Sequence, residues 1–264
     1  VPGSLNGQVK SFGADYVVSS SESEQITIKF QGEPETALLT HPPRSDKTCW
    51  WSNQGDSINS TLTKRVDLSD VDTATLTYWV NYDIEEFWDY GYAMISTDDG
   101  ETWDILTTER SINLDPNGNS YGPGLTGNSM GWVKDSTDIS SYAGQEILIR
   151  FEYITDDALF AKGICLDDFE ISAINWTDNT TTTRDWIPEG FTLVQSTIPT
   201  NYLVQVIHEK GSGDSMVYRL PVDENATGSI KLNDIKKDDL IITVVSAVTR
   251  LSTTPTEYTL TINQ

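Results

Sequence analysis

What is scarce in this sequence narrows its chemistry before any motif is read. The 264 residues include two histidines, His41 and His208, and two cysteines, Cys49 and Cys165. A helical zinc site needs two histidines one turn apart with a glutamate between them. His208-Glu209-Lys210-Gly211-Ser212 starts that pattern and lacks the second histidine at its fifth position. Two separated histidines also leave a Ser-His-Asp site unsupported, so we expect no catalytic residues and no enzyme activity. Basic residues are few: 17 Lys and Arg stand against 40 Asp and Glu, a formal net charge of −23. Such a surface repels phosphate backbones and anionic membranes, which excludes a nucleic-acid partner. No run of about 18 apolar residues occurs, so no membrane span is expected. The chain opens at Val1, without Met or a signal peptide, as expected of a processed protein or an excised fragment.

What is present forms strands. Short runs rich in Thr, Val, Ile, Tyr and Trp alternate with turn residues, and no apolar repeat has helical spacing, so the fold is all-β. The chain is organised around Thr75–Trp103. Leu76, Tyr78, Val80 and Tyr82 alternate as a half-buried strand requires, and Tyr90, Tyr92 and Met94 start a second run of that period. Between them Asp83, Glu85, Glu86 and Asp89 crowd around Phe87 and Trp88. The turn that follows, Ser96-Thr97-Asp98-Asp99-Gly100-Glu101-Thr102-Trp103, matches the Ser-x-Asp-x-Gly-x-Thr-Trp pattern of an Asp-box hairpin. Its physics is local: Asp98 accepts backbone N–H groups, Gly100 takes a positive φ and Trp103 packs beneath, so it reads as a folding device.

The strand runs fall into blocks. Residues 46–174 hold about eight, from Cys49–Ser52 through Trp103–Thr108 to Gly163–Ile171, which suits a two-sheet jelly roll. His41-Pro42-Pro43 interrupts any ladder before it, and the polar tract Trp176–Asp185 is linker-like after it. Residues 175–264 hold six more runs, including Phe191–Gln195, in a smaller immunoglobulin/fibronectin-like sandwich. The runs Gln8–Phe12, Asp15–Ser19 and Gln25–Phe30 in residues 1–45 are expected to complete that sandwich, with the jelly roll inserted between its parts. Cys49 and Cys165 each sit in a strand, near the two ends of the jelly-roll block. If first and last strands pair, the thiols meet and form a disulfide; otherwise they are two buried free thiols.

Several motifs occur together in a fixed order: Trp50-Trp51-Ser52-Asn53-Gln54-Gly55-Asp56, Tyr82 to Tyr90, the Ser96–Trp103 turn, Ser141-Tyr142-Ala143-Gly144-Gln145, Arg150-Phe151-Glu152-Tyr153 and Leu166-Asp167-Asp168. Together they resemble the MAM-like jelly-roll region downstream of the catalytic domain in the immune inhibitor A family of secreted metallopeptidases. The resemblance covers about residues 46–174 well, and residues 1–45 and Leu240–Ile262 more loosely. It implies a secreted or cell-surface location, a β-sandwich fold and calcium binding. It implies as partners the peptidase catalytic domain or other modules of a parent protein. It carries over no peptidase activity, because the zinc domain is outside these residues.

Calcium takes six to eight oxygen ligands. Jelly rolls place such an ion where the exit loop of the first strand meets an acidic bulge in the last, which here nominates Asn53 and Asp56 with Asp167 and Asp168. The alternative is that Asp167 and Asp168 accept backbone hydrogen bonds at the bulge. Asp83, Glu85, Glu86 and Asp89 are the second metal candidate, or else pair with Arg150 and nearby lysines. Trp88, Tyr90, Tyr121 and Trp132 either stack on a sugar or belong to the core. Asn59, Asn175, Asn179 and Asn225 begin N-glycosylation sequons. The reading is a non-catalytic, calcium-stabilised extracellular region that orients or protects a peptidase domain or holds a substrate. The alternatives are a structural or adhesive surface subunit, or a carbohydrate-binding module, with a cell-surface protein or a glycan as partner.

Overall fold

A computed structural model describes residues 3–20, 22–44, 48–179 and 185–264. Among these, every paired strand is antiparallel to its neighbours, and the only helices are two 3-10 turns, Ser140–Tyr142 and Ser172–Ile174. The chain forms two compact units, Leu39–Ser196 and Val1–Leu38 with Thr197–Gln264.

The first unit is a jelly roll. One sheet runs Val133–Asp138, Thr75–Asp83, Gly163–Ile171, Cys49–Trp51; the facing sheet runs Asn59–Asp67, Glu146–Ile154, Tyr90–Ser96, Asp104–Ile105. The first of these eight strands therefore lies beside the last, and the second beside the seventh, which is jelly-roll connectivity. Period-2 sequence dictates the core: Ile147, Ile149, Phe151 and Tyr153 are buried against Leu62, Leu76, Tyr78 and Phe169, while Arg150 and Glu152 face outward. Phe169 and Trp186 lie 4.7 Å apart at the centre of an aromatic cluster.

Strand Tyr90–Ser96 has the opposite phase to the one its tyrosines suggest. Its register against Glu146–Ile154 sets Gly91, Ala93 and Ile95 opposite Tyr153, Phe151 and Ile149, so the small residues face the core. Gly91 is required there, because a Cβ would meet the Ile164 side chain. Tyr90 and Tyr92 face outward and are buried beneath the long connection 106–132: Tyr90 Oη donates to Leu114 O (3.0 Å), and Tyr92 Oη accepts from Tyr121 N (3.0 Å).

The sequence boundaries shift in several places. Phe191–Gln195, expected in the smaller sandwich, contributes Thr192–Val194 to the jelly roll, paired with Cys49–Trp51. The tract read as a linker contains strand Trp176–Asp178, paired with Phe169–Ile171, and is followed by Trp186–Glu189, paired with residues 61–64; residues 180–184 lie outside the described residues. The physical reason is aromatic: Trp176 and Trp186 have more apolar surface to bury than polar neighbours can keep in solution, and both join the Phe169 cluster. Trp103–Thr108 shortens to Asp104–Ile105 because the Ser96–Trp103 turn occupies its start.

That turn is held as its residues require. Asp98 accepts from Thr102 N (2.9 Å), Thr102 Oγ1 (2.6 Å) and Ser96 Oγ (2.7 Å), and these hydrogen bonds hold its carboxyl at about 2, below the usual carboxylate range. Gly100 has φ 92, and the Arg150 guanidinium lies 3.8 Å over the Trp103 ring.

The second unit packs two four-stranded sheets around Ile26, Ile28, Val204, Val206 and Leu260. One sheet runs Gly3–Val9, Thr256–Asn263, Gln25–Gly32, Thr227–Asn233; the other Ser215–Leu220, Tyr202–Glu209, Leu240–Ala247, Ala14–Ser19. The expected strand Gln8–Phe12 lies earlier, at Gly3–Val9, because the chain turns at Phe12 with φ 61. His208, the start of the incomplete zinc pattern, is buried in this unit and meets the buried Asp239 at 2.7 Å.

In the jelly roll Cys49 and Cys165 form a disulfide across neighbouring strands, with Cα atoms 5.8 Å apart and a sequence separation of 116. A link closing so long a loop contributes about 2–5 kcal/mol. Replacing both cysteines by alanine is expected to lower the unfolding free energy of this unit by about that amount, read by urea denaturation. An unchanged midpoint would mean that the strand pairing holds without the bond.

Candidate functional site

Antiparallel alternation sends connections 52–58, 84–89, 106–132 and 155–162 from one end of the jelly roll, since Asp83 pairs with Gly163 and Ile154 with both Asn59 and Tyr90. These loops are stitched to one another by the backbone. Thr155 N donates to Ile58 O (3.0 Å), Ile84 N to Gly127 O (2.9 Å) and Phe87 N to Thr126 Oγ1 (2.8 Å). Asn117 and Asn119 donate from their side-chain amides to Phe87 O (3.1 Å) and Trp88 O (3.3 Å).

Within this end Glu85, Asp89 and Asp156 bring carboxylate oxygens within 4.8 Å of one another. Among the described residues no other group of three or more potential His, Cys or carboxylate ligands converges so closely. Asp89 is fully buried and accepts from Tyr153 Oη (3.2 Å) and Asp156 N (3.1 Å). Burial pushes its carboxyl above the usual range, against the opposing pull of the Asp156 N–H and Tyr153 hydrogen bonds. Glu85 is pushed the same way by desolvation and then by the charges of Asp156, Asp89 and Asp56. One oxygen of Glu85, Oε2, is buried and has no hydrogen-bond partner. An all-oxygen donor set with an orphaned carboxylate oxygen fits a hard cation.

The residues nominated from sequence divide between two places. Glu85 and Asp89 of the second candidate set are in the cluster, and Asp56 of the first set is near enough to raise the carboxyl of Glu85. Asp83 accepts from Asn128 Nδ2 at 2.8 Å, and Glu86 is exposed beside Gly127. Asn53, with φ 70, accepts from Gln54 N through Oδ1. Asp167 and Asp168 lie elsewhere. Asp167 pairs with Trp79, four residues along the strand from the Gly163–Asp83 pair, a separation of about 13 Å. The expected bulge falls at Asp168, φ 48, where the register shifts between Asp167 and Glu170, but it aims that carboxylate at Arg44 Nε (3.0 Å). Arg44 in turn stacks 3.5 Å over Trp79. Asp156 was missed. The available signal was the acidic pair Asp156-Asp157 at the exit of a strand whose end must face the start of Tyr90–Ser96.

The aromatic candidates also divide. Tyr90 is buried beneath the long loop and Trp132 donates from Nε1 to Pro42 O (2.7 Å), whereas Trp88 and Tyr121 are 41% and 73% exposed. The four sequon asparagines are exposed; Asn59 donates to Glu152 Oε1 (2.8 Å), and Asn175 takes a left-handed turn at φ 51.

The architecture is thus a jelly roll whose loop end gathers three carboxylates, one of them buried, in a chain that also carries a second β-sandwich unit. The chain belongs to the immune inhibitor A-like MAM domain family, whose family model matches residues 15–196. It is 29% identical over 153 residues to the pre-pro-metalloprotease PrtV of Vibrio cholerae, covering 57% of this chain and 16% of that protein. It is 27% identical over 191 residues to immune inhibitor A of Bacillus thuringiensis subsp. alesti, covering 70% of this chain and 27% of that protein. The chain thus spans well under a third of the curated relatives it matches, and the matched region is an accessory domain of metallopeptidases.

The raised carboxyls make a pH prediction. A carboxyl higher in the folded than in the unfolded state binds more protons when folded, so its contribution to stability is complete below the unfolded value near 4 and is lost as pH rises through the folded value. In chelator, the melting temperature of the jelly-roll unit is expected to rise as pH falls from neutrality towards the unfolded value near 4. Asp98, held at about 2, opposes this only as pH falls further, below about 4. Glu85→Gln with Asp89→Asn should flatten the upper limb; a limb of unchanged slope would place its origin elsewhere.

Proposed function

We propose that this chain is the non-catalytic accessory region of a secreted metallopeptidase, a rigid module whose loop end is stabilised by calcium and presents a surface to other parts of the parent protein or to its substrate. The observation that carries the reading is the fully buried Asp89 with Glu85 and Asp156 converging on it and one Glu85 oxygen left without a partner. Buried carboxylates in a chain of net charge −23 repel one another and their surroundings, and a divalent cation offsets both the repulsion and the lost hydration. Glu85, Asp89 and Asp156 would hold it, with Asp56 close by; when bound the ion supplies charge neutralisation and loop cross-linking, and no bond is made or broken. A location outside the cell agrees with the Cys49–Cys165 disulfide, which persists in oxidising surroundings, and with the prefix "pre-pro" in the name of one relative.

Titrating calcium into chelator-treated protein while following the melting temperature tests the reading. A saturable rise is expected in the native chain, because a ligand that binds only the folded state stabilises it by mass action. Asp89→Asn should abolish the rise while leaving the chain folded. Asp168→Asn, at the bulge, should keep it. A native protein whose melting temperature ignores calcium, or an Asp89→Asn variant that responds in full, would remove the ion from the proposal.

A further inference from the structure

The loop end that carries the carboxylates also exposes large apolar side chains. Trp88 lies in connection 84–89, Leu114 and Tyr121 in 106–132, and Leu159 and Phe160 in 155–162; Leu159 and Phe160 are 75% and 45% exposed. Large apolar groups on three separate loops at one end are not the scattered single exposures found on any protein surface. The loops are not loose: the amides of Asn117 and Asn119 hold the Phe87 and Trp88 carbonyls, and Asp156 N holds Asp89. Phe87 and Leu159 have φ of 65 and 64, a region bulky residues avoid unless their surroundings impose it.

Charge decides what fits this end. Residues 52–58, 83–89, 106–132 and 155–162 contain nine acidic side chains and two basic ones, Arg110 and Lys162. Asp56, Glu86, Asp115 and Asp157 are exposed among the apolar tips. One divalent ion at the Glu85 cluster leaves the end strongly acidic. Apolar knobs set in a negative field repel an anionic lipid surface and match a polypeptide that presents apolar and basic side chains together.

We propose that this loop end is a docking surface for a cationic amphipathic segment of a protein, whose apolar residues pack on Trp88, Leu159 and Phe160 while its lysines and arginines meet Glu86, Asp115 and Asp157. The inference deepens the presenting surface proposed above by naming the chemistry of its partner, and it does not depend on the calcium ion. The acids give the encounter its speed and salt dependence, and the apolar tips its residence time.

The test uses the full chain and a synthetic amphipathic leucine–lysine peptide, with binding read by fluorescence titration in chelator and again in calcium. Poly-lysine and a leucine–glutamate peptide serve as probes of each half of the recognition. The leucine–lysine peptide is expected to bind, more weakly as salt rises, and both other probes at least about tenfold more weakly still. Glu86→Lys with Asp157→Lys, and separately Leu159→Ser with Phe160→Ser, should each weaken binding by about tenfold or more. Asp70→Lys with Asp72→Lys makes the same charge change in the exposed turn between Asn59–Asp67 and Thr75–Asp83, at the opposite end of the jelly roll, and should change binding less than about twofold. Far-ultraviolet circular dichroism checks that each variant is folded, and the single variant Trp88→Ala gives a second route if a double variant is not. Equal losses from charge reversal at the two ends would reduce the effect to net charge and overturn the proposal. So would binding to phosphatidylserine–phosphatidylcholine vesicles without binding to the peptide. A missing calcium response in the melting experiment, with peptide binding intact, would refute the ion and leave this surface standing.

Discussion

Closure of the jelly roll by its first and last strands sets everything else at the loop end. Cys49–Trp51 is only three residues long, yet it lies between Gly163–Ile171 and Thr192–Val194, and all of its side chains are buried. So short a strand cannot hold its register through its own ladder hydrogen bonds alone. The disulfide to Cys165 fixes it from one side. Ser52 continues the pairing, accepting from Ile164 N through Oγ while its own N–H donates to Ile164 O. Gly163, at φ 80, permits the close approach, since a Cβ there would meet Asn53 O and Ser52 Oγ. Once that corner is fixed, connections 52–58 and 155–162 must run side by side, and Asp156 is delivered to Asp89.

The electrostatic cost at that place is local and is opposed locally. Asp89 cannot reach water, so it draws on the Tyr153 hydroxyl and on the Asp156 and Glu85 backbone, fewer partners than a carboxylate's about four acceptor positions. Glu85 and Asp156 bring further negative charge to the same point. Two acids elsewhere have fuller sets of partners. Asp239 meets His208 and accepts from Gly211 N and Lys236 N, and Asp98 is held by Ser96 and Thr102. Both of these carboxyls lie low, whereas Glu85 and Asp89 lie high. The sign of the shift separates acids that finish a turn from acids whose burial outweighs the hydrogen bonds they accept.

How much of this was legible depends on whether a residue's role is set by its neighbours in sequence. Glu146–Tyr153 reads correctly because strict alternation leaves one way to bury Ile147, Ile149, Phe151 and Tyr153. The Ser96–Trp103 turn reads correctly because its hydrogen bonds span at most five residues. The phase of Tyr90–Ser96 does not, because its core face is made of Gly91 and Ala93 and its larger residues are buried from outside by a loop more than 20 residues later in the chain. Trp176 and Trp186 sit in polar surroundings that imitate a linker, and only the aromatic cluster reveals where they go. The carboxylate cluster was half legible. Glu85 and Asp89 are close in sequence, but Asp156 reaches them through strand order alone, and the bulge that made Asp168 attractive turns out to serve Arg44 and Trp79.

The carboxylate cluster and the apolar tips are mechanically one object. Glu85 and Asp89 belong to the connection that carries Trp88, and Asp156 to the one that carries Leu159 and Phe160. Repulsion between these carboxylates pushes the two connections apart, and the Asp156 N–H, the Tyr153 hydroxyl, the bonds to neighbouring loops and the strand ends resist it. A cation held by all three would reverse the sign of that force without moving any strand, because both connections are anchored at Ile154, Gly163, Asp83 and Tyr90 by the ladder itself. The rigidity of the sandwich would confine the effect of such an ion to the spacing of the tips. The apolar tips and the exposed acids stand on these two connections with or without an ion, so a bound ion would tune the spacing of a surface the fold already presents.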